Sequence, residues 1–187
     1  MPGMKRILPL VLILLGCSAF GAVQRRAERE GDGSRAMTGS LVELKGKRRV
    51  LVLVRRSAVV DSDGTGKAIL EEVFRAEAGA RNARYPRIYN AIVHKLNKYM
   101  IKYQSITAAR DFSDAEFIVF FNLLEYRRLL GYSYPYGELF VILNDHAAGR
   151  APHIIWKTPK TSIWVEDAIE DLIKEMKAAR GEGERRT

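Results

Sequence analysis

The sequence contains very little cysteine: among its 187 residues, Cys17 is the only one. A lone cysteine excludes an internal disulfide, and it also excludes every motif that needs two cysteines. If the protein is exported, this cysteine must therefore have a role other than forming an internal disulfide.

Histidine is also scarce, and the common catalytic motifs do not occur. The three histidines, His94, His146 and His153, are not spaced as metal ligands, and GxSxG, CxxC and HExxH are absent from the sequence. Asp145 directly precedes His146, but adjacent polar residues in a turn are commonly only solvated. The sequence therefore predicts no cofactor and favours a binding protein over an enzyme.

The apolar run ILPLVLILL at residues 7–15 is too short to cross a bilayer, which takes about 20 apolar residues. It follows Lys5 and Arg6, as the apolar region of a secretory signal follows a charged one. The run ends in LLGC, which resembles the bacterial lipobox. That resemblance implies cleavage before Cys17 and attachment of palmitate-type acyl chains to it. The alternative is an ordinary signal that is cleaved after Gly21.

A lipobox places the protein outside the cytoplasm of a bacterium, anchored to a membrane by lipid. Ser18 follows the cysteine where inner-membrane lipoproteins of enterobacteria carry aspartate, and this favours the outer membrane. The formal net charge is +9. A basic excess can indicate nucleic acid or an anionic surface, but export argues against nucleic acid. The expected partners are the membrane and either an envelope protein or a cell-wall polymer, although a basic surface can also serve only for solubility.

Composition divides the chain into four segments. Residues 1–17 form the signal and lipobox, and residues 18–48, which are rich in Arg, Glu, Gly and Ser, predict a flexible tether. Residues 49–180 contain enough apolar sequence for one domain, and residues 181–187 predict a disordered tail. With 47% hydrophobic and 28% charged residues, the composition is typical of a globular protein.

The domain is predicted to be α+β, an α/β sandwich with helices against a mostly antiparallel sheet of about five strands. The predicted order is β-α-α-β-β-β-β-α, and the last three strands form an antiparallel meander. Ser162 is expected to cap the final helix. The predicted strands lie at residues 50–54, 105–111, 114–126, 137–145 and 153–158, and the helices at residues 68–80, 85–103 and 163–180.

The segment DSDGTGKAILEE places Asp61, Asp63 and Glu72 at the spacing of a calcium-binding EF-hand loop. Ile69 stands where the ninth loop position supplies a ligand, and the preceding segment predicts a strand rather than a helix. A phosphate-binding loop would need glycine in place of Asp61. The segment therefore predicts a strand-to-helix turn, with those three acidic residues as weak metal candidates.

The stretch LLGYSYPYGE is the best candidate for partner binding. Tyr132, Tyr134 and Tyr136 alternate within it, and Arg127 and Arg128 precede it. Tyrosines in a connection between strands offer a large contact area at low entropic cost. If the segment is extended, the three rings face the same way; they either bind a partner or cover the edge of the core.

The succession DAEFIVFF, GELFVIL, HIIWKT and a final amphipathic helix, behind a lipobox, resembles small periplasmic α/β domains of bacterial lipoproteins. The curli-secretion type, the penicillin-binding-protein-activator type and families of unknown function share this order. The resemblance implies a membrane-anchored envelope lipoprotein with a binding or assembly role, and it transfers no functional residue. The alternatives are a secreted protein without lipid and an envelope hydrolase, whose cleft would need Glu125, Glu138 and Asp145 to converge.

Overall fold

The computed structural model describes residues 39–57, 66–75, 84–145, 149–160 and 162–182. Cys17, Asp61, Asp63 and His146 lie outside these residues, so the predictions made for them concern parts of the chain that are not described. In chain order the elements are a 3-10 helix at Leu41–Leu44, β1 at Arg49–Arg56, α1 at Lys67–Arg75, α2 at Pro86–Tyr103, β2 at Thr107–Ala108, β3 at Phe117–Leu129, β4 at Tyr132–Leu143, β5 at His153–Lys157, β6 at Ile163–Trp164 and α3 at Val165–Arg180.

The fold is α+β, as predicted, but its sheet is mixed rather than mostly antiparallel. The strand order is β2-β1-β3-β4-β5, and β6 pairs with β4. β1 is parallel to both β2 and β3, whereas β3, β4 and β5 form the antiparallel meander that the sequence predicts.

The prediction of a mostly antiparallel sheet was wrong because residue patterns do not reveal which strands become neighbours. Two helices separate β1 from β2 along the chain, and such a crossover brings the next strand back in the same direction. β3 then pairs along the other edge of β1, over Val50↔Phe117 to Arg56↔Leu123. The element order also differs, since β6 and the 3-10 helix were not predicted.

Both faces of the central strands are buried, as the continuous apolar run in β1 predicts. Val50, Val52 and Val54 face one apolar cluster, which includes residues of α2 and α3. Leu51 and Leu53 face a second cluster, which includes residues of α1. The helices therefore cover both faces of the sheet.

The helices bury the stripes that their spacing indicates. In α2 the buried residues are Ile88, Ile92, Leu96 and Tyr99, and Pro86 stands at its first turn. α3 begins at Val165 with Trp164 as its N-cap, so the prediction that Ser162 caps it was wrong. The two residues before α3 form β6 instead. None of the helices in the described ranges is long and apolar enough to span a bilayer.

The domain includes residues that composition assigned to the tether. Ser40 caps the 3-10 helix in a capping box with Glu43, and Leu41 and Leu44 are buried in the larger apolar cluster. Arg180, at the end of α3, donates hydrogen bonds to the carbonyl oxygens of Leu44 and Lys47 at 2.7 and 2.9 Å. Residues 39–48 therefore pack against the domain and are part of it, instead of belonging to the flexible tether.

Candidate functional site

β3 and β4 form a hairpin whose strands, of 13 and 12 residues, are longer than the other strands described in the sheet. A two-residue turn at Leu130 and Gly131 connects them, with φ angles of 50° and 82°. Positive φ at both positions is typical of the type I′ turn, whose twist matches that of the paired strands. Tyr132 to Tyr136 lie within β4, so the prediction of a tyrosine-bearing loop between strands was wrong: the connection is the short turn itself.

A register shift marks the point where the hairpin leaves the body of the sheet. Leu123 pairs with Gly137, and the next pair is Glu125 with Tyr136, so Leu124 is the extra residue of a bulge. A Cβ on Gly137 would lie 2.1 Å from the carbonyl oxygen of Asn122. Only glycine therefore fits here without a shift of the backbone. We call residues 124–136, beyond this junction, the arm.

The arm extends past the described parts of its neighbouring strands, β1 and β6. Pairing between β1 and β3 ends at Leu123, and pairing between β6 and β4 ends at Tyr136. Within the described ranges, no strand pairs with the outer edges of residues 124–135. Among the described residues the arm is therefore a two-stranded ribbon, held by its own ladder from Glu125↔Tyr136 to Leu129↔Tyr132.

One face of the arm carries a row of aromatic rings. Alternation along β4 puts Tyr132, Tyr134 and Tyr136 on the same face, and Trp164 of β6 lies beside Tyr136 in register. The ring centroids of successive members are 6.5 Å apart for Tyr132 and Tyr134, 5.8 Å for Tyr134 and Trp164, and 4.9 Å for Tyr136 and Trp164. These distances and the tilted geometry are those that aromatic pairs prefer.

Arg127 completes this face. Its guanidinium carbon lies 3.4 Å from the ring centroid of Tyr136, and its Nε donates a hydrogen bond of 2.6 Å to Glu125. That hydrogen bond, together with the contact with Tyr136, raises the pKa of Arg127. We call Tyr132, Tyr134, Tyr136, Trp164 and Arg127 the tyrosine face. Arg128 is the next residue along β3 and therefore points to the opposite face.

The tip of the arm exposes apolar side chains. Leu130 is 89% exposed, Tyr132 69% and Leu129 55%. Exposed contiguous apolar groups often mark interaction sites. The turn also holds Leu130 at a positive φ, which disfavours leucine. The fold gains nothing from leucine at this position, because its side chain packs on no core.

Some members of this surface could not be recognised from the sequence. Tyr132, Tyr134, Tyr136 and Arg127 were predicted, whereas Trp164 lies 28 positions beyond Tyr136 along the chain and reaches the row only through the pairing of β6 with β4. The leucines of the tip carried one signal that was not used: LLG followed by alternating tyrosines is consistent with a hairpin turn.

The metal candidates are only partly described. Glu72 lies in α1, and its carboxylate accepts a hydrogen bond of 2.8 Å from Arg55. The strand β1 precedes the DSDGTGK segment and α1 follows it, which is the strand-to-helix order predicted in place of an EF-hand. Among the described residues no group of three or more metal-ligating side chains is found.

The carboxylates that an envelope hydrolase would need do not converge. Glu125 lies in the arm, and Glu138 is buried within the sheet. Asp145 follows the far end of β4, seven positions from Glu138, which corresponds to on the order of 20 Å along an extended chain. These three residues therefore do not line one cleft.

Two basic side chains contact the carboxylate of Asp145. Lys47 and Arg150 donate hydrogen bonds of 2.8 and 2.6 Å to its carboxylate, and they hold its pKa below the usual range.

His153 lies 3.3 Å from a carboxylate oxygen of Glu43, and His94 is exposed on α2. The two described histidines are thus on separate elements.

Compared with protein-family models, with curated proteins and with solved structures, the chain matches none.

Proposed function

We propose that this protein is a bacterial cell-envelope lipoprotein whose domain binds a partner protein through the tyrosine face of the arm. The single observation that carries the binding role is the arm itself: a ribbon beyond the sheet with three tyrosines, a tryptophan and an arginine on one face. Tyr, Trp and Arg are the residues most enriched among those that dominate the energy of protein interfaces.

The anchor is proposed from the sequence alone. LLGC with a single cysteine supports lipidation of Cys17, attachment to the outer membrane and a periplasmic domain. Cys17→Ser should abolish the incorporation of labelled palmitate and release the protein from membranes. Unchanged labelling of that variant would contradict the lipoprotein and favour a secreted form.

The arm favours docking through its face rather than through its edges. Pro135 has no backbone N–H to donate, and Glu125, Arg127 and Arg128 are charged; proline and charges on an exposed edge oppose strand addition. The rings of the tyrosine face are already ordered by their mutual contacts, so little side-chain entropy remains to be lost on binding. The surface is thus suited to a preformed protein epitope.

The position of Leu130 supports the same proposal. A leucine at positive φ costs about 1 kcal/mol or more, and this side chain is 89% exposed. Strain that stabilises nothing in the free domain is consistent with a side chain that contacts a partner.

The test is site-specific photocrosslinking in intact cells. A benzophenone side chain in place of Leu129, on the arm, is compared with the same group in place of Ile101, an exposed apolar residue of α2 that is 77% accessible. We expect a discrete protein adduct from position 129 and none from position 101. Replacing Tyr132, Tyr134 and Tyr136 together by serine should remove that adduct.

Two outcomes would contradict the proposal. Adducts to lipid alone from position 129 would indicate that the tip inserts into a membrane, and equal adducts from both positions would indicate nonspecific contact. The free energy of unfolding of the triple serine variant is measured in parallel. A drop as large as that expected for core aromatic residues, about 3–5 kcal/mol each, would show that the tyrosines serve the fold instead.

A further inference from the structure

A groove of about 350 Å³ runs between α2 and α3, on the side of the domain that they cover. It is independent of the tyrosine face, because none of its lining residues belongs to that face. Five lysines and one glutamate contribute to its lining, which comprises Lys95, Lys98, Tyr99, Lys102, Tyr103, Glu170, Ile173, Lys174 and Lys177.

One of these lysines is neutralised within the protein. Lys95 forms an ion pair with Glu170, which is the only carboxylate of the lining. The hydrogen bond from Lys95 lowers the pKa of Glu170. Because the only glutamate of the lining is paired with Lys95, the remaining lysines give the lining a net positive charge.

The other four lysines have no acidic partner within the part of the chain that the structure describes. Among the described residues no carboxylate lies within ion-pair distance of Lys98, Lys102, Lys174 or Lys177. The ammonium groups of Lys102 and Lys177 lie 5.4 and 5.6 Å from the centroid of the same Tyr103 ring. Two ammonium groups around one ring repel each other, and a bound anion would relieve that repulsion.

A purely structural role accounts for only part of this arrangement. Lys102 and Lys177 lie in the last turns of α2 and α3, where a cation interacts favourably with the helix dipole. Lys98 and Lys174 lie before the last turns and are exposed, so the same explanation does not extend to them. Lysine ammonium groups are common ligands of phosphate, as point charges.

We infer that this groove binds an anion that carries two or more phosphate groups, held by Lys98, Lys102, Lys174 and Lys177. The ligand is either a cluster of phospholipid headgroups or a soluble phosphorylated compound. The chemistry of recognition is the same for both, and a groove of about 350 Å³ suits a few phosphate groups rather than a folded macromolecule.

The test uses the full chain in a nonionic detergent with inorganic tripolyphosphate as the probe. We expect saturable binding by calorimetry and a loss of at least about tenfold in affinity when the four lysines are replaced by glutamine, which corresponds to 1.4 kcal/mol. A matched variant removes four exposed charges elsewhere: Lys45, Arg87, Arg110 and Lys160, each to glutamine. It should lose less than about twofold, since distant surface charges are largely screened.

A double variant, Lys98→Gln with Lys174→Gln, keeps the test decisive if the fourfold variant does not fold. These two side chains are exposed, and they are not the lysines that lie over the Tyr103 ring. The double variant should therefore melt like the wild type while binding tripolyphosphate several-fold more weakly. Absence of saturable binding to the wild type, or equal weakening in the matched variant, would overturn the inference.

Vesicles distinguish the two sources of phosphate. If the ligand is a lipid headgroup, the four-lysine variant should bind phosphatidylglycerol vesicles more weakly than the matched variant does, with no difference on phosphatidylcholine. The other outcome is that the four-lysine variant and the matched variant bind both kinds of vesicle alike, while only the four-lysine variant loses tripolyphosphate binding. In that case the ligand is a soluble phosphate compound.

Discussion

The inner and outer halves of the β3–β4 hairpin share one ladder and differ in how deeply their side chains are buried. In the inner half, Phe117, Phe120 and Phe121 of β3 and Phe140 of β4 are completely buried. In the outer half, Leu129 and Tyr132 are more than half exposed. Backbone pairing alone thus does not decide where a strand is stable; burial of its side chains does.

The comparison separates two roles within a single pair of strands. The inner half contributes most to stability, since a buried aromatic side chain contributes about 3–5 kcal/mol relative to alanine. The arm contributes little to the core and keeps its rings accessible. A long strand that crosses from the core into solvent therefore holds the tyrosine face on a rigid support.

Breaking the inner half should have the largest effect. Phe120 is fully buried, and the centroid of its ring lies 6.2 Å from the centroid of the Phe140 ring. Phe120→Ala should lower the free energy of unfolding by about 4 kcal/mol, measured by urea denaturation of the full chain. Tyr132→Ala, the matched aromatic change in the arm, should cost less than about 1 kcal/mol. Similar losses for both would mean that the arm is as well packed as the body.

The junction should respond next most strongly. Gly137→Ala places a Cβ against the Asn122 carbonyl oxygen and should destabilise the protein by about 2 kcal/mol, as backbone-shifting overpacking does. Gly131→Ala, at the tip, meets no atom within 4 Å and suffers only from its φ of 82°. It should cost about 1 kcal/mol. A smaller loss at position 137 than at position 131 in thermal melts would refute the close approach at the bulge.

Local patterns predicted the parts of the fold that are held together by near neighbours in sequence. The apolar stripe of α2 and the two-sided burial of β1 follow from residue spacing and were confirmed. The parallel pairing of β1 with β3 was not predicted, because these segments are about 60 residues apart. Nothing in either segment specifies which strand pairs with it.

The candidate site shows the same division. Alternation correctly placed Tyr132, Tyr134 and Tyr136 on one face, but the strand was misread as a loop because serine, proline and glycine interrupt it. Trp164 joined the row only through a two-residue strand that no periodicity reveals. The lysine groove could not be predicted either, because it forms only where α2 packs against α3. In the sequence its lysines lie in two separate charged stretches.

The end of β4 farthest from the arm should respond to acid. The pKa of Asp145 is lowered by Lys47 and Arg150. A carboxylate whose pKa is lower in the folded than in the unfolded chain contributes stability above its unfolded value of about 3.9, and that contribution is lost as the pH falls through the folded value. Wild-type stability should therefore fall between about pH 5 and pH 3 more steeply than that of Asp145→Asn. Parallel curves in urea titrations at each pH would contradict this.

The smallest expected change in stability, and the sharpest test of the comparison, is at Leu130. Asparagine tolerates the left-handed conformation that the turn requires, so Leu130→Asn should raise the free energy of unfolding by about 0.5–1 kcal/mol. If the tip contacts a partner, the same change should reduce the protein adduct from the crosslinker at position 129 by about fivefold, equivalent to roughly 1 kcal/mol of binding energy. Ile101→Asn is the control, because it removes an exposed apolar side chain from the body and should leave the adduct unchanged. A variant that gains stability and captures its partner as before would show that Leu130 takes no part in binding. A variant that gains stability and loses the adduct would show that Leu130 lowers the stability of the free domain and contributes to partner binding. That result would extend the difference between the two halves of the hairpin to their roles.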